Sequence, residues 1–196
     1  MTSAFHVGAN VDGFFREIVE SAAEQESVES TDLGLAYVTS LLASYVRLSS
    51  EDRALLGESL TLALHRAVGA SGAERFERLR SVGDAVLYAS GFFAEHLSAR
   101  GVSLPYVRGL GARAYGLAAG TLTGARDLFQ ELADRFDNYA RLLGAVSDTV
   151  AATSAASTPA GTLRLYERWM RTGSPAAADA LIERGLLPVA SKGTLH

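Results

Sequence analysis

The stretch ARDLFQELADRFDNYARLLGAVSDTV, residues 125–150, decides the fold. Phe129, Leu132, Phe136, Tyr139, Leu143, Val146 and Val150 step by three and four, which on a helix sets all of them along one seam. A half-buried strand would alternate apolar and polar residues, and this stretch does not. The outer face is charged. Glu131 with Arg135 and Asp137 with Arg141 set an acid one turn before a base, each pair adding about 0.2–0.5 kcal/mol to a helix. The spacing predicts one long helix here.

Working outward, the same periodicity recurs and no segment shows the period of two, so the fold class is all-α. A first helix near Asn10 to Gln25 carries Phe14, Ile18 and Ala22. Thr31 and Asp32 cap a second with the stripe Gly34, Tyr37, Val38, Leu41, Tyr45 and Leu48. Ser49 or Ser50 starts a third, with Glu51 and Asp52 in its first turn, Leu56, Leu60, Ala63, Leu64 and Ala67 inside, and Gly69 and Gly72 at its end. A fourth runs from about Ala73 to Ser98, and Ser103 with Pro105 opens a fifth segment through Gly124. The expected architecture is a single bundle of six to seven helices with a short C-terminal helical hairpin. The bundle occupies 1–150, a linker 151–158 and the hairpin 159–188. In that hairpin Thr158-Pro159 and Ser174-Pro175 start the helices, and Gly173 and Gly185 end them. Leu163, Tyr166, Trp169, Leu181 and Ile182 are its docking residues, and 189–196 is a flexible tail.

The composition closes off several functions. With 196 residues, 48% hydrophobic and 20% charged, the chain suits one globular domain with at most an appendage. Zero cysteines exclude disulfides, thiolate catalysis and thiolate zinc sites. A net charge of −4 argues against a nucleic-acid surface. The hairpin resembles a helix-turn-helix in outline, yet its second helix, Pro175 to Arg184, offers alanines that cannot read base edges, and Asp179 and Glu183 would repel phosphates. No apolar run is long enough for a membrane span. The N-terminus lacks a basic flank before an apolar stretch, so no signal peptide is expected and the location is cytoplasmic by default. His6, His65, His96 and His196 form no metal-binding pattern, and neither a metal nor a cofactor is expected. Gly109-Leu-Gly-Ala-Arg-Ala114 matches a loose dinucleotide fingerprint, but no strand precedes it.

Two segments stand out. Gly109, Gly111, Gly116, Gly120 and Gly124 lie inside one helical pattern, and at about 0.9 kcal/mol each relative to alanine they cost roughly 4–5 kcal/mol. Close helix packing over Gly116, Gly120 and Gly124 is the expected compensation; ligand approach and a helix break near Gly109 are the alternatives. In the helix before it, Val82, Val86, Ala89, Phe93 and Leu97 form a core stripe, while Leu87, Tyr88 and Phe92 cover much of the remaining girth. Asp84, Tyr88, Gly91 and Glu95 share the opposite side. The interaction or ligand candidates are accordingly Asp84, Tyr88, Phe92, Glu95, Tyr106 and Tyr115, with no catalytic residue assigned.

At Gly83-Asp-Ala-Val-Leu-Tyr-Ala-Ser-Gly-Phe-Phe-Ala-Glu-His-Leu97 and Leu104-Pro-Tyr-Val-Arg-Gly-Leu-Gly-Ala-Arg-Ala-Tyr-Gly116 the chain resembles a group of bacterial all-helical proteins of unknown function. The resemblance implies an intracellular bacterial setting and no particular activity, cofactor or substrate. The residues themselves suggest a non-catalytic interaction or regulatory module that associates with itself or with another protein. Two alternatives remain open: a bundle binding an apolar small molecule between the Tyr88 and Tyr115 helices, and an enzyme using Asp84 and Glu95.

Overall fold

The structure, a computed structural model, describes residues 3–47, 59–121, 124, 126–154, 158–186 and 188. Among these residues there are ten helices and no strand: α1 (Ser3–Gln25), α2 (Asp32–Arg47), α3 (Leu60–Gly69), α4 (Gly72–Phe92), α5 (Ala94–Ala99), α6 (Leu104–Ala119), α7 (Arg126–Asp134), α8 (Phe136–Ser154), α9 (Pro159–Thr172) and α10 (Pro175–Glu183). The fold is all-α. Two of the expected long helices are each divided: α4 from α5 at Phe93, whose φ of −121° is not helical, and α7 from α8 at Arg135. The proposed cap at Ser49 or Ser50, Leu56 and the tail at 189–196 lie outside the described residues.

The chain forms two compact units, Met1–Gly144 and Ala145–His196. In the first, α4 packs on α3 and α6, α6 on α7, and α2 on α1 and α7. Phe129, Leu132, Phe136, Tyr139 and Leu143 are all buried, as the seam requires. Of the charge pairs on its outer face, Glu131 with Arg135 forms, at 3.8 Å. Asp137 meets Arg108 of α6 at 3.3 Å, while Arg141 bonds Asn138 instead. In α1 the buried set is Phe15, Val19, Ala22 and Ala23, one position on from the expected Phe14 and Ile18, and Phe14 is exposed. Either set fits the helical repeat, and only contact with α2 selects between them.

The second unit is held by Ala152, Leu165, Ala177 and Leu181, with Tyr166, Trp169 and Ala180 packed against them. Leu163 and Ile182, expected as docking residues, are exposed; Leu165 takes the inward position. The Thr158 hydroxyl accepts from the Gly161 amide and the Ser174 hydroxyl from Ala177, each ahead of a proline in the first turn. Gly173 closes α9 at φ 66°, a left-handed conformation open to glycine at little cost. The stretch read as a linker is helical through Ser154. Alanine favours the helix, and the Thr149 and Thr153 hydroxyls bond the carbonyls one turn back. Arg168 reaches Asp148 at 2.6 Å and Ser147 at 3.2 Å, a half-buried tie inside this unit.

Candidate functional site

The first unit gathers its aromatic residues around one carboxylate. Tyr37 stands on the inward stripe of α2, and Tyr115 is wholly buried on α6. A buried tyrosine needs a partner for its hydroxyl, and both find the same one. The Tyr37 and Tyr115 hydroxyls donate to Oδ1 of Asp84 on α4 at 2.6 and 2.7 Å. Those lengths match hydrogen bonds to a charged acceptor, about 2.5–2.7 Å. Phe129 lies edge-on to Tyr37 at 5.5 Å, Phe76 meets Phe129 at 5.2 Å, and Phe136 reaches Tyr115 at 5.9 Å, so the ring shell is largely apolar.

Burial pushes the Asp84 carboxyl above its ordinary range, outweighing the two phenols and Arg80, which pull it down; Glu77 adds to the rise. Arg80 itself bonds Glu77 at 2.7 Å and leaves its buried Nε without a hydrogen-bond partner. Burial and Asp84 together push Tyr37 and Tyr115 up, so neither phenol ionises at physiological pH.

One turn beyond Asp84, Tyr88 begins a stack at the surface. Tyr45 of α2 lies over Tyr88 at 4.2 Å and 15°, Tyr88 over Phe92 at 5.1 Å and 21°, and Phe93 meets Tyr88 edge-on at 5.6 Å. Tyr45, Tyr88 and Phe92 are half-buried, and Phe93, expected in the core stripe, is 45% exposed. The inward side of α4 includes Gly83, Leu87, Ser90 and Gly91 as well as Val82 and Val86. Much of the surplus apolar girth is therefore enclosed by the chain itself.

The glycines expected to allow close packing are not the ones that do. A Cβ on Gly116 would meet only Ala133 at 3.8 Å, one on Gly120 only the Leu117 carbonyl at 3.6 Å, and one on Gly124 nothing within 4 Å. Gly116 is turned away from the inward face of α6, which runs through Val107, Gly111, Ala114, Tyr115 and Ala118. The tight approaches occur at Gly83 under the Tyr115 ring, Gly111 under Phe136, Gly34 under Tyr139 and Gly91 under Leu143. The seam between α4 and α6, the place considered for an apolar small molecule, is filled at Gly83 and Gly111 by these rings.

The other sequence candidates are dispersed. Glu95 is exposed on α5, eleven residues and a helix break beyond Asp84, and Tyr106 is exposed at the start of α6, 3.3 Å from the Thr61 hydroxyl of α3. Asp84, Tyr88, Phe92 and Tyr115 do converge, joined by Tyr37, Tyr45 and Arg80, which sequence reading did not select. Their signal was present: two tyrosines in a core stripe demand an acceptor, and an acid within an apolar helix can supply it.

A second carboxylate plays a related part. Glu131 accepts from the Thr31 amide at 2.8 Å, the Thr31 hydroxyl at 2.6 Å and the Tyr139 hydroxyl at 2.6 Å, tying the start of α2 to α7 and α8. The Thr31 hydroxyl in turn accepts from Gly34 and caps α2. Burial raises the Glu131 carboxyl, but these bonds and Arg135 outweigh it and hold it below its ordinary value. Its salt bridge to Arg135, at 3.8 Å, is the longer contact.

No family model, curated protein or solved structure matches the chain. Among the described residues no three histidine, aspartate or glutamate side chains converge as a metal site, and no helix is long and apolar enough to cross a membrane.

Proposed function

We propose that the protein is a non-catalytic helical interaction module that self-associates through the surface around the Tyr45, Tyr88, Phe92 and Phe93 rings. The carrying observation is that stack, three near-parallel rings and a fourth edge-on, left half-open at the α4 to α5 break. Aromatic side chains dominate binding energy at protein interfaces. Of the large apolar side chains exposed in the first unit, Leu62, Val68, Phe93 and Tyr106 belong to α3, the α4 to α5 junction and α6, elements that pack on one another. The intracellular bacterial setting implied by the resemblance belongs to the same reading. An acid–base role for Asp84 with Glu95 has less behind it, since Asp84 is bonded to two phenols and Glu95 is exposed beyond a helix break.

Sedimentation equilibrium tests the proposal. A concentration-dependent dimer is expected for the native chain. Phe93→Ser should weaken it by roughly 30-fold, the equivalent of about 2 kcal/mol at an interface anchor. A strict monomer across the micromolar range refutes self-association. Equal association by the variant refutes this surface.

A further inference from the structure

One face of α6 is turned away from the core. Pro105, Arg108, Gly109 and Ala112, spaced three and four apart, share it, while the buried line runs through Val107, Gly111 and Ala114. Together with the α7 to α8 junction this face walls a cleft of about 410 Å³, inside the usual range for small-molecule sites of about 300–1,000 Å³. To that cleft α7 contributes Asp134, and α8 contributes Asp137 and Asn138.

Two features of the cleft are left unexplained by packing. Gly109 sacrifices helix propensity, yet a Cβ there would meet nothing within 4 Å, so no neighbour demands a glycine. The missing side chain leaves bare backbone along the wall, open to close approach. Arg108 is the second feature. Its Nη2 donates to the Ser90 carbonyl and its Nη1 to Asp137, both at 3.3 Å, and its buried Nε has no partner. A guanidinium has five N–H donors, and its bonds to carboxylates close to about 2.7–2.9 Å. Arg108 is thus positioned from behind by Ser90 with donors uncommitted, and its partner Asp137, with its side chain 75% exposed, is only loosely engaged.

We propose that this cleft binds a small zwitterion of amino-acid type, its carboxylate on the Arg108 guanidinium and its ammonium on the Asp137 carboxylate. The planar guanidinium matches a carboxylate in shape and donor spacing. A zwitterion replaces one long ion pair with two and leaves neither protein charge unmatched. A dianion such as phosphate is opposed by Asp137 and by Asp134, which is exposed beside it. Pro105, Ala112 and Ala133 supply apolar wall for a hydrocarbon side chain.

Titration of the isotope-labelled full chain with L-leucine, followed by amide NMR, tests the site. The Gly109, Ala112, Asp137 and Asn138 signals should shift together and saturate at millimolar ligand. Isocaproate lacks the ammonium and isoamylamine lacks the carboxylate, so each should bind about tenfold more weakly or worse. Inorganic phosphate should give no saturable shift at these positions. Gly109→Leu adds bulk to the wall where no neighbour stands, so it should fold as the native chain does and lose the L-leucine response. Arg108→Gln should lose it too, and Gly109→Leu decides even if loss of the bond to Ser90 unfolds that variant. The proposal is overturned by a native chain with no saturable L-leucine shift, by isocaproate binding as tightly as L-leucine, or by undiminished binding in Gly109→Leu. A tighter response to phosphate than to L-leucine overturns it as well.

Discussion

Two glycines two positions apart in the same helix should respond oppositely to a single methyl group. Gly109 and Gly111 both lie within α6, and alanine is favoured over glycine in a helix by about 0.9 kcal/mol. At Gly109 a Cβ meets nothing within 4 Å, so Gly109→Ala should gain that amount, raising the melting temperature by roughly 2–4 °C. At Gly111 the Cβ falls 2.7 Å from Cε2 of Phe136 and 2.7 Å from Cγ1 of Val86, where carbon atoms ordinarily settle at roughly 3.5–4.0 Å. Neither neighbour can retreat easily, because Phe136 is 3% exposed and Val86 wholly buried. Overpacking of this kind costs about 1–3 kcal/mol, and the backing of buried Phe136 and Val86 sets it toward the upper end, so after the helix gain Gly111→Ala should lose up to about 2 kcal/mol. Urea unfolding followed by circular dichroism measures both, with a shifted midpoint at constant slope marking a change in stability alone. A stable Gly111→Ala, or a Gly109→Ala as damaged as its neighbour, would refute the account of α6 packing.

Tyr115→Phe keeps the ring against Gly83 but removes one donor from Asp84, and should cost about 1–2 kcal/mol in the same urea assay. Glu131 is held below its ordinary value of 4.5, so its contribution is fully present above that pH and lost as pH falls through the lower folded value. Glu131→Gln should therefore lower stability by about 1–2 kcal/mol at neutral pH and flatten part of the acid limb in urea titrations run at successive pH values. Gly173→Ala puts a side chain at φ 66° and should destabilise the second unit by about 1–2 kcal/mol, read from the fluorescence of Trp169, the sole tryptophan.

The helical class was legible because the seam from Phe129 to Leu143 repeats without interruption, and capping signals at Thr31, Ser103, Thr158 and Ser174 stand beside prolines or acids. The breaks at Phe93 and Arg135 were not, since the apolar spacing continues through both and neither glycine nor proline marks them. Facing was legible only where the stripe was narrow. In α1, Phe14-Phe15 and Ile18-Val19 give equivalent stripes one residue apart, and in α4 apolar residues on nearly every side leave the inward direction to tertiary contact. The glycine-rich character of α6 was visible, but which glycine receives a ring depends on where Phe136 and Tyr115 arrive from other turns. Asp84 stands out in the sequence only by its company on α4. Its actual partners come from α2 and α6, at 47 and 31 residues' separation, which no local spacing encodes.

That enclosure also limits how large an interface the middle of the chain can offer. An aromatic side chain buries about 150–250 Å², so the mostly covered Tyr45, Tyr88 and Phe92 rings and the half-open Phe93 ring supply at most about 400 Å² together. A standard interface removes about 800 Å² per partner. The ring stack can therefore serve as the anchor of a dimer but not as its whole contact, and the remainder has to come from neighbours such as Leu62, Val68 and Tyr106. Tyr106→Ser, exposed and within 3.3 Å of the Thr61 hydroxyl of α3, should then leave folding unchanged while weakening association less than Phe93→Ser does. Equal losses from the two substitutions would argue for a diffuse contact in which the stack holds no special place.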